Sequence, residues 1–319
     1  MRPMTMLQVT IVAISCCEAL LAPLAAQVST LREIPLVSGA ISGLTPALPG
    51  GSGPEAVAFD GTSVWVAGQF TNTVTRLDRL TGVATGSFPV GKRPVALLRI
   101  ESALWVANLE SDTVMKLATR DGAVLATVRV GDGPGGLAFD GTHLWVANRN
   151  SDTVSKLALD GAVLGTYKTG RRPLNLAYDG ATLWVVNNLA NSVSQLRPAD
   201  GAVLRTISVG DGPFGILYDG AAIWVTNFFS SSLTRIRPND GTVLGTYTVG
   251  DGPAGLATDG RTLWIANNGS STVTRLDRST GTVVSTYATG RGPFAVAFDG
   301  LNIWVANFGG SSVSTTLLR

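Results

Sequence analysis

The sequence predicts an all-β fold, a seven-bladed β-propeller with four antiparallel strands per blade, and three observations carry that prediction. The seven tryptophans, Trp65, Trp105, Trp145, Trp184, Trp224, Trp264 and Trp304, recur every 39 or 40 residues. A proline stands 11 residues before each of them, from Pro54 to Pro293. Gly outnumbers Met by 38 to 4, and Asp-Gly pairs return at one phase of the repeat, which suits short strands joined by tight turns. A repeat of about 40 residues holding four strands is the signature of blades arranged around an axis.

Residues 1–26 read as an export signal, cleaved in the mature protein. Arg2 precedes a mostly apolar run from Val9 to Ala26, interrupted by Glu18 and ending in Leu24-Ala25-Ala26 before Gln27. The run is too short and too broken for a stable membrane span of about 20 residues. The alternatives are an uncleaved anchor and a lipoprotein acylated at Cys16, although Ala13 departs from the usual Leu or Val of such a site. Both cysteines, Cys16 and Cys17, fall inside this segment, so the mature chain is expected to owe its stability to packing and ring closure without a disulfide. A periplasmic or extracellular location follows. With 45% hydrophobic and 14% charged residues the chain should fold, and a net charge of +2 is too near neutral to point to nucleic acid or an acidic membrane as partner.

Residues 54–319 make up the repeats. In the unit that begins at Pro253, strand-like runs are expected over 254–258, 262–267, 271–277 and 282–289. The turn between the first two runs carries Asp259-Gly260, repeated at Asp60, Asp140, Asp179, Asp219 and Asp299. Such a pair is expected to supply the positive backbone angles of a two-residue hairpin. An open solenoid is the competing architecture, and the chain ends argue against it. Arg319 lies 15 residues past Trp304, too close for a fourth strand in the last blade. Residues 27–53, which contain a strand-like run from Val28 to Val37, are expected to supply that strand and close the ring, through this run or through the later part of the segment. Pro35, or Pro46 and Pro49 if the later part pairs, is tolerable because the outermost strand is an edge.

Features that recur in every blade read as architecture. The tryptophans are expected to pack blade on blade, and Asn108, Asn148, Asn187, Asn227, Asn267 and Asn307 to cap the loop after the second strand through bonds to backbone. The runs beginning at Gly131, Gly210 and Gly250 have the G-x-G-x-x-G spacing of a dinucleotide fingerprint. Each leads from strand to strand, with no helix N-terminus to receive a pyrophosphate. No cofactor is therefore expected.

The motif Trp224-Val225-Thr226-Asn227, with Trp-Val-Ala-Asn in blades 2, 3 and 7 and Trp-Ile-Ala-Asn in blade 6, resembles the repeat of YVTN-type bacterial propellers. The Gly-Pro, Asp-Gly, Leu-Trp-Val layout also resembles the virginiamycin B lyase (streptogramin lyase) propellers, over essentially the whole mature chain. The lyase resemblance implies histidine and glutamate side chains with magnesium acting on a cyclic ester, a base removing the proton next to the carbonyl. This chain has one histidine, His143, in the turn between the first two strands of blade 3, on the face opposite the expected ligand mouth. No catalytic residue and no metal ligand is carried over, and a metal-dependent carbon–oxygen lyase stands as the alternative to a binding protein without catalysis.

Function is then sought where the repeats differ. The loops leading into each blade and the loops after each second strand share one face, around the channel mouth. The lead-in loops bring Lys92, Arg93, Arg171, Arg172 and Arg291, followed just past the prolines by Glu55, Phe214 and Phe294. The loops after the second strands bring Arg149, Phe228, Phe229 and Phe308, along with Gln69, Phe70 and Glu110. Asn175 is the one amide in an inner-strand slot otherwise held by Ala or Gly. Arginine and phenylalanine are the usual anchors of binding surfaces, so the mouth is expected to take a small anionic or aromatic ligand, or a protein partner, on a monomer.

Overall fold

The computed structural model describes residues 52–316, which form seven antiparallel sheets in chain order. Blade 1 consists of Pro54–Phe59, Ser63–Gly68, Thr73–Asp78 and Ala84–Pro89, each strand hydrogen-bonded to the next. Blade 6 runs Pro253–Thr258, Thr262–Asn267, Thr272–Asp277 and Val283–Ala288, within a residue or two of the expected ends. Ser271, expected in a strand, instead takes a φ of 53° in the turn. Blade 7 has three described strands, Pro293–Phe298, Ile303–Asn307 and Ser312–Thr315. The expected signal segment and closing strand lie outside the described residues. The circle closes within the described residues too, because Val57, Phe59 and Val66 of blade 1 share a buried cluster with Val296, Ile303 and Trp304 of blade 7.

Each indole faces the following blade. Trp65 packs with Leu97, Leu104 and Val106 of blade 2, and Trp184 with Ile216, Ile223 and Val225 of blade 5. The Asp of each Asp-Gly turn has a different part from the one expected. Only the Gly takes a positive φ, for instance 93° at Gly220. The Asp219 carboxylate bonds through Oδ1 to the amides of Ala221 and Ala222 (2.8 and 2.7 Å) and through Oδ2 accepts the Trp224 Nε1–H at 2.8 Å. One short acidic side chain thus closes the turn and fixes the indole. The same indole bond forms at Asp60, Asp140, Asp179, Asp259 and Asp299. Blade 2 has Arg99-Ile100-Glu101-Ser102 in place of that turn, and Trp105 Nε1 has no hydrogen-bond partner among the described residues.

A second inter-blade contact comes from the residue 11 positions after the Trp in blades 1 to 5. Arg76, Lys116, Lys156 and Arg235 each set a cation over the indole of their own blade, 5.1 to 5.6 Å from the ring centroid. They also donate to a carbonyl in the next blade, Lys116 Nζ to Leu159 O and Lys156 Nζ to Pro198 O at 2.8 Å each. Gln195 does the same in blade 4, to Pro238 O. The repeated Asn residues bond side chain to side chain, contrary to the backbone partners expected. Asn148 Nδ2 donates to Thr153 Oγ1 and Ser155 Oγ of the third strand at 3.0 and 2.9 Å.

The G-x-G-x-x-G runs are explained by packing. In blade 5, Gly210 lies against the Asn227 side chain and Gly212 takes a φ of 60°. At Gly215 a Cβ would fall 2.4 Å from Ala254 O, so the third Gly lets neighbouring inner strands approach.

Candidate functional site

Two side-chain slots per blade face the channel mouth, and one backbone bond sets them in each. The residue after the second-strand Asn donates its N–H to the carbonyl of the residue before the inner-strand Pro, as in Phe228 to Gly212 (3.0 Å) and Arg149 to Gly133 (2.9 Å). With the backbone held constant, the mouth is defined by side chains alone. The slots hold Glu55 and Gln69 in blade 1, Arg149 in blade 3, Leu174 and Asn188 in blade 4, Phe214 and Phe228 in blade 5, and Phe294 and Phe308 in blade 7. Together with Arg93, Arg172 and Phe229 these residues line a cavity of about 300 Å³. Blade 6 places the small Ala254 and Gly255 at the corresponding point, which lets Phe214 and Phe294 meet edge to face at 5.0 Å.

The aromatic wall is continuous. Phe70 contacts Phe308 (5.7 Å), Phe308 contacts Phe294 (5.8 Å), and Phe294 contacts Phe214. Phe214 contacts Phe228 (6.4 Å), which meets Phe229 edge to face at 5.3 Å. Opposite stand Arg93, Arg149 and Arg172 on blades 2, 3 and 4. They also line a polar extension of the cavity with Glu110, Asp112 and Asp132.

Arg93 and Arg172 adopt φ of 56° and 54° in the slot before the inner-strand Pro, where the other five blades have Gly. Their amides are held by the preceding blade, Arg93 N–H by Asn72 Oδ1 (2.8 Å) and Arg172 N–H by Asp152 Oδ1 (2.7 Å). A left-handed conformation at a non-Gly residue costs about 1–3 kcal/mol and persists where the surroundings impose it. Arg172→Gly is therefore expected to stabilise the fold by about 1 kcal/mol, after the greater chain entropy of Gly is counted. A urea denaturation comparison checks this, and an unchanged or lower midpoint would show that the arginine conformation is not strained.

Glu55 is 9% exposed at the boundary between the two walls. Among the described residues no donor is hydrogen-bonded to its carboxyl. Burial raises its pKa to about 7, with Arg149 and then Arg93 pulling the other way. Burial lowers the pKa of Arg149 in turn, and Glu55 raises it. Arg93 is anchored by Nε to Gln69 Oε1 at 2.8 Å and reaches Glu110 at 3.4 Å, an exposed and therefore weak ion pair.

Of the residues singled out in the sequence, Glu55, Arg93, Arg149, Arg172, Phe214, Phe228, Phe229, Phe294 and Phe308 come together in the cavity. Asn175 lies below it, where its Nδ2 donates to Phe214 O at 2.9 Å and ties blade 4 to blade 5. Lys92, Arg171 and Arg291 are exposed and do not line the cavity, and Arg291 Nε is used by Gly309 O at 3.0 Å. Leu174 and Asn188 escaped the sequence reading although they occupy the slots of Phe214 and Phe228. Aligning the seven units column by column would have found them.

The donor set does not suit magnesium. A hard dication needs several converging oxygen ligands, and the mouth offers the Glu55 carboxyl among three guanidinium groups, while in the extension Glu110 pairs with Arg93, Asp112 with Arg129, and Asp132 accepts from Asn150. No three His, Cys, Asp or Glu side chains come together for a metal among the described residues. His143 pairs with Asp140 Oδ2 at 3.3 Å on the opposite face.

No family model and no curated protein matches the chain. Solved structures do. Hydrazine synthase of Kuenenia stuttgartiensis is 22% identical, with a TM-score of 0.76 over 84% of this chain and 96% of that one. A streptogramin B lyase is 20% identical, with a TM-score of 0.74 over 85% and 96%. A catalytically inactive virginiamycin B lyase from Staphylococcus aureus, solved with Quinupristin, is 19% identical, with a TM-score of 0.74 over 86% and 99%. Likeness at this identity establishes the propeller fold, the architecture the lyase resemblance implied, and leaves activity to the site.

Proposed function

We propose that the chain is an exported binding protein, which takes a small aromatic anion in the channel mouth without transforming it. One observation carries the reading: three arginines and a continuous phenylalanine wall face each other across a single cavity of about 300 Å³. The arrangement suits a ligand with a charged end and a flat apolar body. The guanidinium groups would take the anion through charge-assisted hydrogen bonds, and the phenylalanines would cover the rings. Cyclic-ester lyase activity is disfavoured by the position of His143 and by the donor set of the mouth.

Naphthalene-2-sulfonate serves as the probe, because its charge does not vary with pH. It is expected to bind at pH 6.5 in preference to 2-naphthylmethylammonium. Arg149→Ala is expected to weaken sulfonate binding by about 10- to 100-fold, the value of a hydrogen bond to a charged group. Isothermal titration calorimetry measures both. Equal binding of the cation, or no effect of Arg149→Ala, would overturn the proposal.

A further inference from the structure

We infer that the mouth takes up its aromatic anion together with one proton, which Glu55 accepts as the ligand's charge settles against Arg149. The inference rests on the binding reading above and adds what is bound: an acid equivalent, not a bare anion.

The argument begins with placement. Glu55 and Arg149 line the same cavity, and Glu55 is buried at its edge without a hydrogen-bond donor among the described residues. What offsets part of the cost of burial, and so lets the carboxylate ionise above about pH 7 in the free protein, is the positive field of the mouth. That field comes from Arg149 of blade 3 and Arg93 of blade 2. Arg172 of blade 4 adds to the positive charge of the cavity. On the other sides blade 1 contributes the neutral Gln69, and blade 7 contributes Phe294 and Phe308, so no further cation compensates from there. The acidic residues nearby, Glu110, Asp112 and Asp132, lie in the polar extension, where they share the arginines and oppose a second negative charge.

An anion docked on Arg149 changes each of these terms in one direction. It neutralises the cation that supports the Glu55 carboxylate, adds a negative charge beside it, and displaces water from the cavity. All three favour the protonated acid. A carboxyl that already titrates near neutrality has little further to shift before it is protonated in the complex across the physiological range. The proton balance is simple: free protein with Glu55 ionised, plus ligand anion, plus one proton from solvent, gives the complex with Glu55 neutral. Affinity should then fall as pH rises above the free-protein titration of Glu55, by about tenfold per pH unit, the slope for one linked proton. A site of this kind captures at lower pH and releases at higher pH.

Calorimetric titration of the whole mature protein with naphthalene-2-sulfonate, in two cationic amine buffers of different ionisation enthalpy at the same pH, counts the protons from the difference in apparent enthalpy. The expected uptake approaches one proton per ligand at pH 8 and is small at pH 6, where Glu55 is already protonated. For Glu55→Gln the expected uptake at pH 8 is near zero, and the dissociation constant stays flat between pH 6 and pH 8. Binding at pH 8 with no proton uptake in the wild type would overturn this inference and leave the binding reading intact. An uptake that persists in Glu55→Gln would also overturn it, since another group would be the acceptor. Absence of sulfonate binding at every pH would overturn the binding reading itself.

Discussion

Trp224→Ala is expected to cost about 3–5 kcal/mol, the range for deleting a fully buried large aromatic side chain. The indole is 0% exposed and shares a buried cluster with Leu256, Leu263 and Ile265 of the next blade. Its loss opens a cavity between two blades that rigid sheets cannot close. It also frees the Asp219 oxygen that accepts the indole N–H, and it removes the ring beneath the Arg235 guanidinium, 5.1 Å away. A gentler pair of variants separates packing from polar satisfaction. Trp224→Phe keeps most of the apolar volume yet removes the one hydrogen-bond donor of the buried Asp219 Oδ2, which keeps only the Arg278 guanidinium 3.9 Å away. Trp105→Phe leaves nothing behind, since no acceptor meets Nε1 there among the described residues. The first is expected to cost about 1 kcal/mol more than the second, the net value of a hydrogen bond whose acceptor keeps a more distant cation. Denaturant titration of the four proteins gives the comparison. Equal costs at the two positions would mean that the Asp bond contributes nothing, and that the repeated Asp serves only its turn.

That contrast shows how far the sequence could be read. Period and residue class were legible. The Trp and Pro spacings located seven units, and alternation between apolar runs and Gly or Asp located strands to within a residue or two. Atomic partners were not legible. The sequence marks Asp219 as a residue that sets turn angles, whereas its second oxygen meets an indole five residues on. The Asn227 amide was assigned to backbone, whereas Ser232 and Thr234 hydroxyls accept from it at 3.0 and 2.9 Å. The cation on the third strand went unread because its partners, an indole in its own blade and a carbonyl in the next, only come together once blades stack.

The mouth was legible as a set of departures from the repeat, and its two-sided character followed from blade order: arginines in blades 2 to 4, phenylalanines in blades 1, 5 and 7. Choosing between neighbours was beyond the sequence. Of Lys92-Arg93 and Arg171-Arg172, the second member of each pair enters the cavity. It is the one that takes the left-handed backbone, which a residue's identity does not announce. The structure also gives those two arginines a meaning that composition cannot: they occupy a position that five other blades assign to Gly, at a cost in backbone energy.

Glu55→Gln is expected to be more stable than the wild type at pH 8, by about 3 kcal/mol, and no more stable at pH 4. The sign follows from the direction of the shift. In the unfolded chain this carboxyl titrates near 4.5, and in the folded protein near 7, chiefly because burial disfavours its charge. Below pH 4.5 the group is protonated in both states and contributes no difference. Between 4.5 and 7 the unfolded chain ionises while the folded protein does not, so wild-type stability falls by about 1.4 kcal/mol per pH unit from this group alone. Above 7 both states are ionised and the penalty is constant. Gln cannot ionise, so the variant escapes the whole of it. Asp140 and Asp259 move stability the opposite way, because bonds from indole and backbone N–H groups hold them below their ordinary range despite burial. They are common to both proteins and cancel in the difference, which is why the pH dependence of the gap, and not either curve, is the quantity to measure. A gap that is the same at pH 4 and pH 8 would show that Glu55 ionises normally in the free protein, and proton uptake on ligand binding would then lose its acceptor. A gap that opens between pH 4.5 and 7 ties the destabilising charge to the same carboxyl that borders the arginines of the mouth. Stability is then being given up at the place where an anion and a proton would be received.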